Sequence, residues 1–298
     1  MSNGDYSARI ICCYGEIVIV ENDAGELRRA RPKKKILPLV CGDRVSCIHG
    51  AHDKDTVTAL ETRTNLLTRQ SDKGTQAVAA NIDQCMIVIA YLPPPQSLLV
   101  DHYLIACANL GVRPILVLNK TDLREENNGA AIENFAARYR QLGCTTLKTS
   151  VKTGDGLAKL AAQAKDHTNV LTGQSGVGKS SLATKLGFNV EARVGAISQV
   201  SGAGRHTTST TTLYHLKDGG DLIDSPGIRS YAYPISDMED IYRGFSEFSE
   251  HAATCRFRNC THIKEPDCGV KQALERRLLD EERYQNYRAI AGTLSKTN

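Results

Sequence analysis

The chain has 298 residues, a hydrophobic fraction of 41% and a formal charge of +4, enough for about two domains, with three small ones possible. It contains no apolar run long enough to span a membrane, and its polar opening residues lack the charged start and apolar core of a secretory signal. Ten cysteines without such a signal imply a reducing, cytoplasmic setting rather than a disulfide scaffold.

Up to about Leu66, short β-type runs alternate with turns: Ile10 to Cys13, Glu16 to Val20, Asp43 to Ile48 and Thr56 to Leu60, punctuated by Asp23-Ala24-Gly25 and Gly42-Asp43. Five short strands in residues 1–66 predict a small β-barrel of the OB type. Within it, Arg28, Arg29, Arg31, Lys33, Lys34 and Lys35 put six cations in eight positions. Such a run is either a solvated surface or a contact to a phosphate backbone; on an OB-type barrel in a basic chain, it reads as an RNA contact. Few aromatics accompany it, which favours structured RNA over single strands.

Residues 67–232 read as an α/β domain. An apolar run from Met86 to Ala90 is followed by a loop with three prolines, Pro93 to Pro95. Pro114 to Leu118 reads as a buried strand, and its C-terminal end, where α/β sheets bind ligands, carries Asn119-Lys120-Thr121-Asp122. Asp122 can accept from the N1–H and exocyclic amine of guanine. Adenine offers no such donor pair and would leave a buried acceptor unpaired, at about 1–3 kcal/mol. Asn119 can brace the base and a phosphate loop, and the stem of Lys120 can lie along the ring. Thr149-Ser150-Val151-Lys152 is similar to the second base-binding loop of GTPases, usually Ser-Ala-Lys. Val151 departs from Ala where backbone N–H groups make the contact.

About fifty residues later comes Gly173-Gln174-Ser175-Gly176-Val177-Gly178-Lys179-Ser180, with Ser181 opening a helix that runs to Leu186. Gly173 and Gly178 let successive backbone N–H groups close around phosphates. Lys179 supplies charge to the β- and γ-phosphates, and the Ser180 hydroxyl suits Mg²⁺. A guanine motif ahead of a phosphate loop reverses the usual order and predicts a circularly permuted GTPase. Gly202 to Thr212 then reads as the first switch, with Thr207 or Thr208 reaching Mg²⁺, and Asp224-Ser225-Pro226-Gly227 as the DxxG motif. There Asp224 would hold the Mg²⁺ shell and the Gly227 N–H would meet the γ-phosphate. Many GTPases place Gln directly after DxxG to orient the attacking water; here the residue is Ile228. His206 is the substitute candidate, against a reading as an exposed loop histidine, and Arg205 is the lesser one.

Residues 233–298 open differently. Cys255-x₄-Cys260-x-His262-x₅-Cys268 places three thiols and an imidazole within fourteen residues, a full tetrahedral set for one structural Zn²⁺. A knuckle of this size has too little core to fold without its ion. Val270 to Ala289 reads as one charged helix whose Arg276, Arg277, Arg283 and Arg288 touch the same RNA or cap the domain.

The expected fold is therefore α/β: a circularly permuted P-loop GTPase domain between an N-terminal OB-fold barrel and a C-terminal helical zinc-binding domain. With the sequence GRHTT in the switch and CRFRNCTHIKEPDC around the cysteines, the chain resembles the bacterial ribosome small subunit-dependent GTPase A family (RsgA, YjeQ, EngC) over essentially its whole length. The resemblance implies a GTPase of late 30S-subunit maturation that binds 16S rRNA, turns over GTP to GDP when stimulated by the subunit, and uses the switch histidine, here His206, in catalysis. Mg²⁺ is the expected cofactor, and the chain is expected to be a monomer in the cytoplasm with no membrane partner. Two other readings stand beside it: a non-catalytic RNA-binding module that responds to GTP, and a GTPase of another ribosomal particle. Permutation further suggests that the switches pull on the zinc domain through Ile228 to Pro234.

Overall fold

In the computed structural model, residues 4–36, 38–50, 54–71, 74–126, 128–187, 211–224 and 233–294 are described. The chain begins with β1 (Asp5–Tyr14), β2 (Ile17–Asn22), β3 (Leu27–Pro32), β4 (Arg44–Ile48) and β5 (Asp55–Leu60). β1 pairs with both β2 and β4, and β3 runs parallel to β5, so the order β1-β2-β3-β5-β4 closes on itself as an OB-type barrel. Alternate residues point inward: Ala8 and Ile10, Val18 and Val20, Val45 and Cys47 fill the interior with Ala30 and Val57.

β3 is the strand that hydropathy missed. Its residues are the start of the cation run, and only Ala30 among them is buried. One small apolar residue on the inner face is enough where two neighbouring strands supply the rest of the pairing. The run's last two lysines open a short 3₁₀ turn, Lys34–Ile36.

A hairpin of β6 (Leu66–Ser71) and β7 (Gly74–Ala80) leads into the α/β domain. There β8 (Gln84–Ala90), α1 (Ser97–Leu110), β9 (Arg113–Asn119), α2 (Gly129–Gln141), β10 (Thr145–Lys148), α3 (Leu157–Ala164), β11 (Thr168–Thr172), α4 (Lys179–Lys185), β12 (Thr212–His215) and β13 (Asp221–Asp224) follow. The strand order is β10-β9-β8-β11-β13-β12, parallel except for β12. All seven positions of β8 are buried, as a parallel strand covered on both faces requires. Because β9, β11 and β13 run the same way, Asn119, the loop after Thr172 and Asp224 emerge along one edge of the sheet. β12 also meets β1 through the pair Cys12 and Thr212, which joins barrel and α/β domain into one eleven-stranded sheet.

The C-terminal region has α5 (Met238–Gly244), α6 (Ser249–Ala252), α7 (Gly269–Glu275) and α8 (Glu281–Leu294). The single helix expected over Val270 to Ala289 is broken: Arg277 adopts φ 59°, and Asp280 accepts from the Arg283 N–H at 3.0 Å to cap a new helix. These helices pack Phe245, Phe248, Tyr287 and Ile290 against Ile105 of α1. Arg283 is not a surface cation. Its guanidinium is 2% exposed, 2.6 Å from Asp101 of α1 and 2.7 Å from Glu247, so of the two roles read from the sequence it takes the capping one.

Candidate functional site

Residues from two distant stretches interlock at the open edge of the sheet. Asn119, buried at the end of β9, donates from Nδ2 to the Val177 carbonyl at 2.8 Å and accepts on Oδ1 from Thr149 Oγ1 at 3.1 Å. Lys120, with φ 61°, donates from its ammonium to the carbonyls of Leu92 and Gly176, each at 2.6 Å. Asp122 lies in a 3₁₀ turn, Thr121–Leu123, and one carboxylate oxygen accepts from Ser150 Oγ at 2.6 Å. The Thr121 N–H reaches Thr149 O at 3.1 Å, so the two base-binding loops are tied by backbone as well. Val151 is half-buried against the core and Lys152 is exposed.

The phosphate loop follows β11. Gly173 has φ 131° and a Cβ there would fall 2.2 Å from the Val88 carbonyl oxygen; Gly178 has φ 98° and a Cβ would fall 2.4 Å from Asn119 Nδ2. Both positions exclude any side chain. Val177 is buried, while Ser175, Gly176, Ser180 and Ser181 are exposed. Lys179 curls back over the loop, donating to the carbonyls of Gly173 at 2.6 Å and Gln174 at 2.7 Å. Its charge thus sits inside the loop whose amides would meet phosphate. Gln174 in turn donates to Pro94 O at 3.0 Å.

Asp224 closes β13 one residue beyond Ile223, which pairs with Val170 of β11. The Ser180 hydroxyl and the Asp224 carboxylate are hard oxygen donors at the same edge, the ligand type that Mg²⁺ takes. His206, Thr207, Thr208 and Gly227, like Ile228, lie outside the described residues.

Four donors gather in the C-terminal region. The ligand atoms of Cys255, Cys260, His262 and Cys268 lie within 4.8 Å of one another. His262 Nδ1 is 3.4 Å from the sulfurs of both Cys255 and Cys268, which are 3.8 Å apart. A tetrahedral zinc with bonds of about 2.0–2.3 Å requires donor separations of about 3.3–3.8 Å, which the Cys255, His262 and Cys268 atoms meet. The outer shell is in place: the Gly269 N–H points at Cys255 Sγ from 3.3 Å, and the Tyr284 hydroxyl holds the His262 carbonyl at 2.7 Å. Burial and the neighbouring thiols push Cys260 up to about 12, an environment that a divalent cation would reverse.

The barrel cations divide. Arg31, Lys33, Lys34 and Lys35 are exposed and Arg29 is half-buried, whereas Arg28 is committed to Asp55, with Nε at 2.5 Å. Burial opposes the Asp55 charge, but bonds from Arg28, Tyr6 and the Gly50 N–H outweigh it and hold the carboxyl at about 2. Five cations, not six, therefore remain for an outside partner.

Sequence reasoning missed several participants. Leu92, Pro93 and Pro94 wall the site: besides the bonds above, Pro93 Cδ stands 3.5 Å from where a Cβ on Gly176 would be. A triple proline after a fully apolar strand was the available signal. Thr149 was read as part of a loop, not as the hydroxyl that orients Asn119. Outside the site, Arg9, Glu21, His215 and Asp221 join barrel and α/β domain, and they too left no local signal.

A family model described as RsgA GTPase matches residues 60–234. A protein of Pseudomonas syringae pv. syringae called small ribosomal subunit biogenesis GTPase RsgA is 41% identical over 290 residues, covering 96% of this chain and 84% of its own. A like-named protein of Pseudomonas fluorescens strain SBW25 is 40% identical over 285 residues, covering 95% and 83%. The crystal structure of YjeQ from Thermotoga maritima superposes with a TM-score of 0.78 at 27% identity, covering 98% of this chain and 99% of that one. That of YloQ, described as a circularly permuted GTPase, gives 0.77 at 26%, covering 99% and 96%.

Proposed function

The chain belongs to the RsgA GTPase family, and from that premise we propose that it hydrolyses GTP to GDP and phosphate on the small ribosomal subunit during late maturation. The observation that carries the nucleotide chemistry is the lock between Asn119 and Val177, which makes one cavity edge of two motifs that occur in reversed order. Asp122 selects guanine, with the backbone of Ser150 and Val151 beside it and Lys120 along the ring. Gly173 to Ser181 cradle the phosphates, with Lys179 opposing their charge and the Gly227 N–H at the γ-phosphate. Ser180, Asp224 and either Thr207 or Thr208 hold Mg²⁺, which supplies charge stabilisation at the transferring phosphoryl group. His206 orients water in place of the residue that Ile228 replaces.

Three further assignments belong to this reading. Cys255, Cys260, His262 and Cys268 hold one structural zinc, which substitutes for a core in the knuckle. Arg29, Arg31, Lys33, Lys34 and Lys35 contact 16S rRNA phosphates, with Arg28 as their scaffold. The working division is 1–66 for RNA, 67–232 for GTP and 233–298 for zinc, in a cytoplasmic monomer; among the described residues no helix is long and apolar enough to cross a membrane.

The test is GTP turnover by the purified chain alone, with small subunits and with large subunits. Slow basal turnover that rises with small subunits only is expected, and His206→Ala should keep GTP affinity while losing the rise. Stimulation by large subunits instead would move the protein to another particle; absence of turnover under every condition would leave a GTP-responsive binding module.

A further inference from the structure

The barrel holds the strand hairpin on which both switch motifs are threaded. In sequence, the switch segment runs into β12, and β13 ends in the first residue of DxxG. The two strands pair in the register Thr212 with Asp224, Leu213 with Ile223, Tyr214 with Leu222 and His215 with Asp221. One end of the hairpin thus lies at the nucleotide edge and the other about 10 Å away, at about 3.3 Å per residue.

At the far end the barrel supplies charges. His215 Nε2 is 2.5 Å from the Glu21 carboxylate of β2, and its Nδ1 is 2.6 Å from Asp221. Arg9 of β1 pairs with Asp221 and donates to Thr168 Oγ1 at 2.7 Å. At the near end β1 touches the hairpin again, through Cys12 and Thr212. Between them, the barrel turn at Gly42 sits so close that a Cβ would lie 3.2 Å from Ile223 Cδ1, one residue before Asp224. Barrel strand and switch hairpin therefore lie side by side along the hairpin's length, with two cations and two carboxylates closing one end.

We propose that Arg9, Glu21, His215 and Asp221 are positioning residues through which engagement of the barrel by its RNA sets the β12–β13 hairpin and thereby the stimulated rate of hydrolysis. None of the four reaches the nucleotide edge, so their effect passes through the hairpin. A shift of the barrel on RNA moves Glu21 and Arg9, and a paired two-residue-wide ribbon anchored at its far end transmits that shift to Thr212 and Asp224. The inference rests on the subunit-stimulated GTPase reading and deepens it by naming the barrel as the entry point.

The experiment compares the full chain with Glu21→Gln, His215→Gln and the double variant. Each is assayed for basal turnover, GTP affinity, co-sedimentation with small subunits and turnover on them. Basal turnover, GTP affinity and co-sedimentation should match the unaltered chain, while the stimulated rate falls about fivefold. The double variant should be no worse than the poorer single one, since one contact is being broken. Full stimulation in all three variants overturns the proposal. So does an equal fall in basal and stimulated rates, which would make the contact a mere support for the hairpin. Lost co-sedimentation would assign it to docking instead. If the unaltered chain itself is not stimulated by small subunits, the partner reading falls, and this inference with it.

Discussion

Asn119 can reach the Val177 carbonyl because residue 178 has no side chain: a Cβ there would stand 2.4 Å from the donating nitrogen. The same economy applies at Gly173 beneath Val88. Both glycines were readable from the motif; what they make room for was not, since Asn119 and Val177 are 58 residues apart. In the reading we propose, the choice of base rests on Asp122, one of whose carboxylate oxygens accepts from the hydroxyl of Ser150. Asp122→Asn would turn an amide nitrogen toward the guanine N1–H. Loss of about 100-fold in GTP affinity, about 2.7 kcal/mol, is expected, with a gain for xanthosine triphosphate, whose 2-oxo group accepts from that amide. A nucleotide competition titration reads both, and equal loss for the two nucleotides would place Asp122 outside base recognition.

Helix α1 does two jobs that its sequence does not separate. Its leading loop, Leu92 to Pro94, walls the nucleotide edge, and its body carries Asp101 and Ile105, onto which the C-terminal helices dock. Asp101 is wholly buried and accepts from Arg283, from the Tyr139 hydroxyl at 2.9 Å and from Asn286 at 2.7 Å. Removing one partner of a buried pair strands the other charge, at about 3–5 kcal/mol. Arg283→Met should therefore lower stability by about that amount in urea unfolding; a change under 1 kcal/mol would show that Asp101 is satisfied by Tyr139 and Asn286 alone. The sequence read Arg283 as one of four cations on a surface helix because charge in a helix usually faces water. Nothing local distinguishes it from Arg288.

Across the whole molecule, the barrel reaches the switch hairpin directly, and the zinc region reaches the nucleotide edge through α1. Permutation suggested coupling through Ile228 to Pro234; Tyr233, the first described residue of that stretch, packs against both the α/β core and the C-terminal core. The barrel contact predicts a pH dependence. Bonds to Asp221 and then to Glu21 raise His215 from its ordinary 6.5 to about 9, with Arg9 as the other charge facing Asp221. A raised histidine contributes stability that is full below about 6.5 and is lost as pH climbs through about 9. The gap in melting temperature between the unaltered chain and His215→Gln should thus be widest near pH 6 and close by about pH 10. It should shrink with salt, because the ring is half exposed. A gap that stays constant across that range would mean that the imidazolium is not what joins the two domains.

The sequence alone sets the expected chemistry of each motif, because a phosphate loop, a base-reading tetrapeptide and a Cys-Cys-His-Cys knuckle each act through a contiguous stretch of backbone and side chains. Their reversed order was likewise plain before any fold was known. Tertiary structure decided which loops touch, which cations are spent internally and where the domains grip one another. Arg9 finds Asp221 across 212 positions, His215 finds Glu21 across 194 and Arg283 finds Asp101 across 182. Periodicity and composition report which face of an element is buried, but carry no label for the partner waiting there, and a charged side chain looks the same in sequence whether it meets water or a carboxylate.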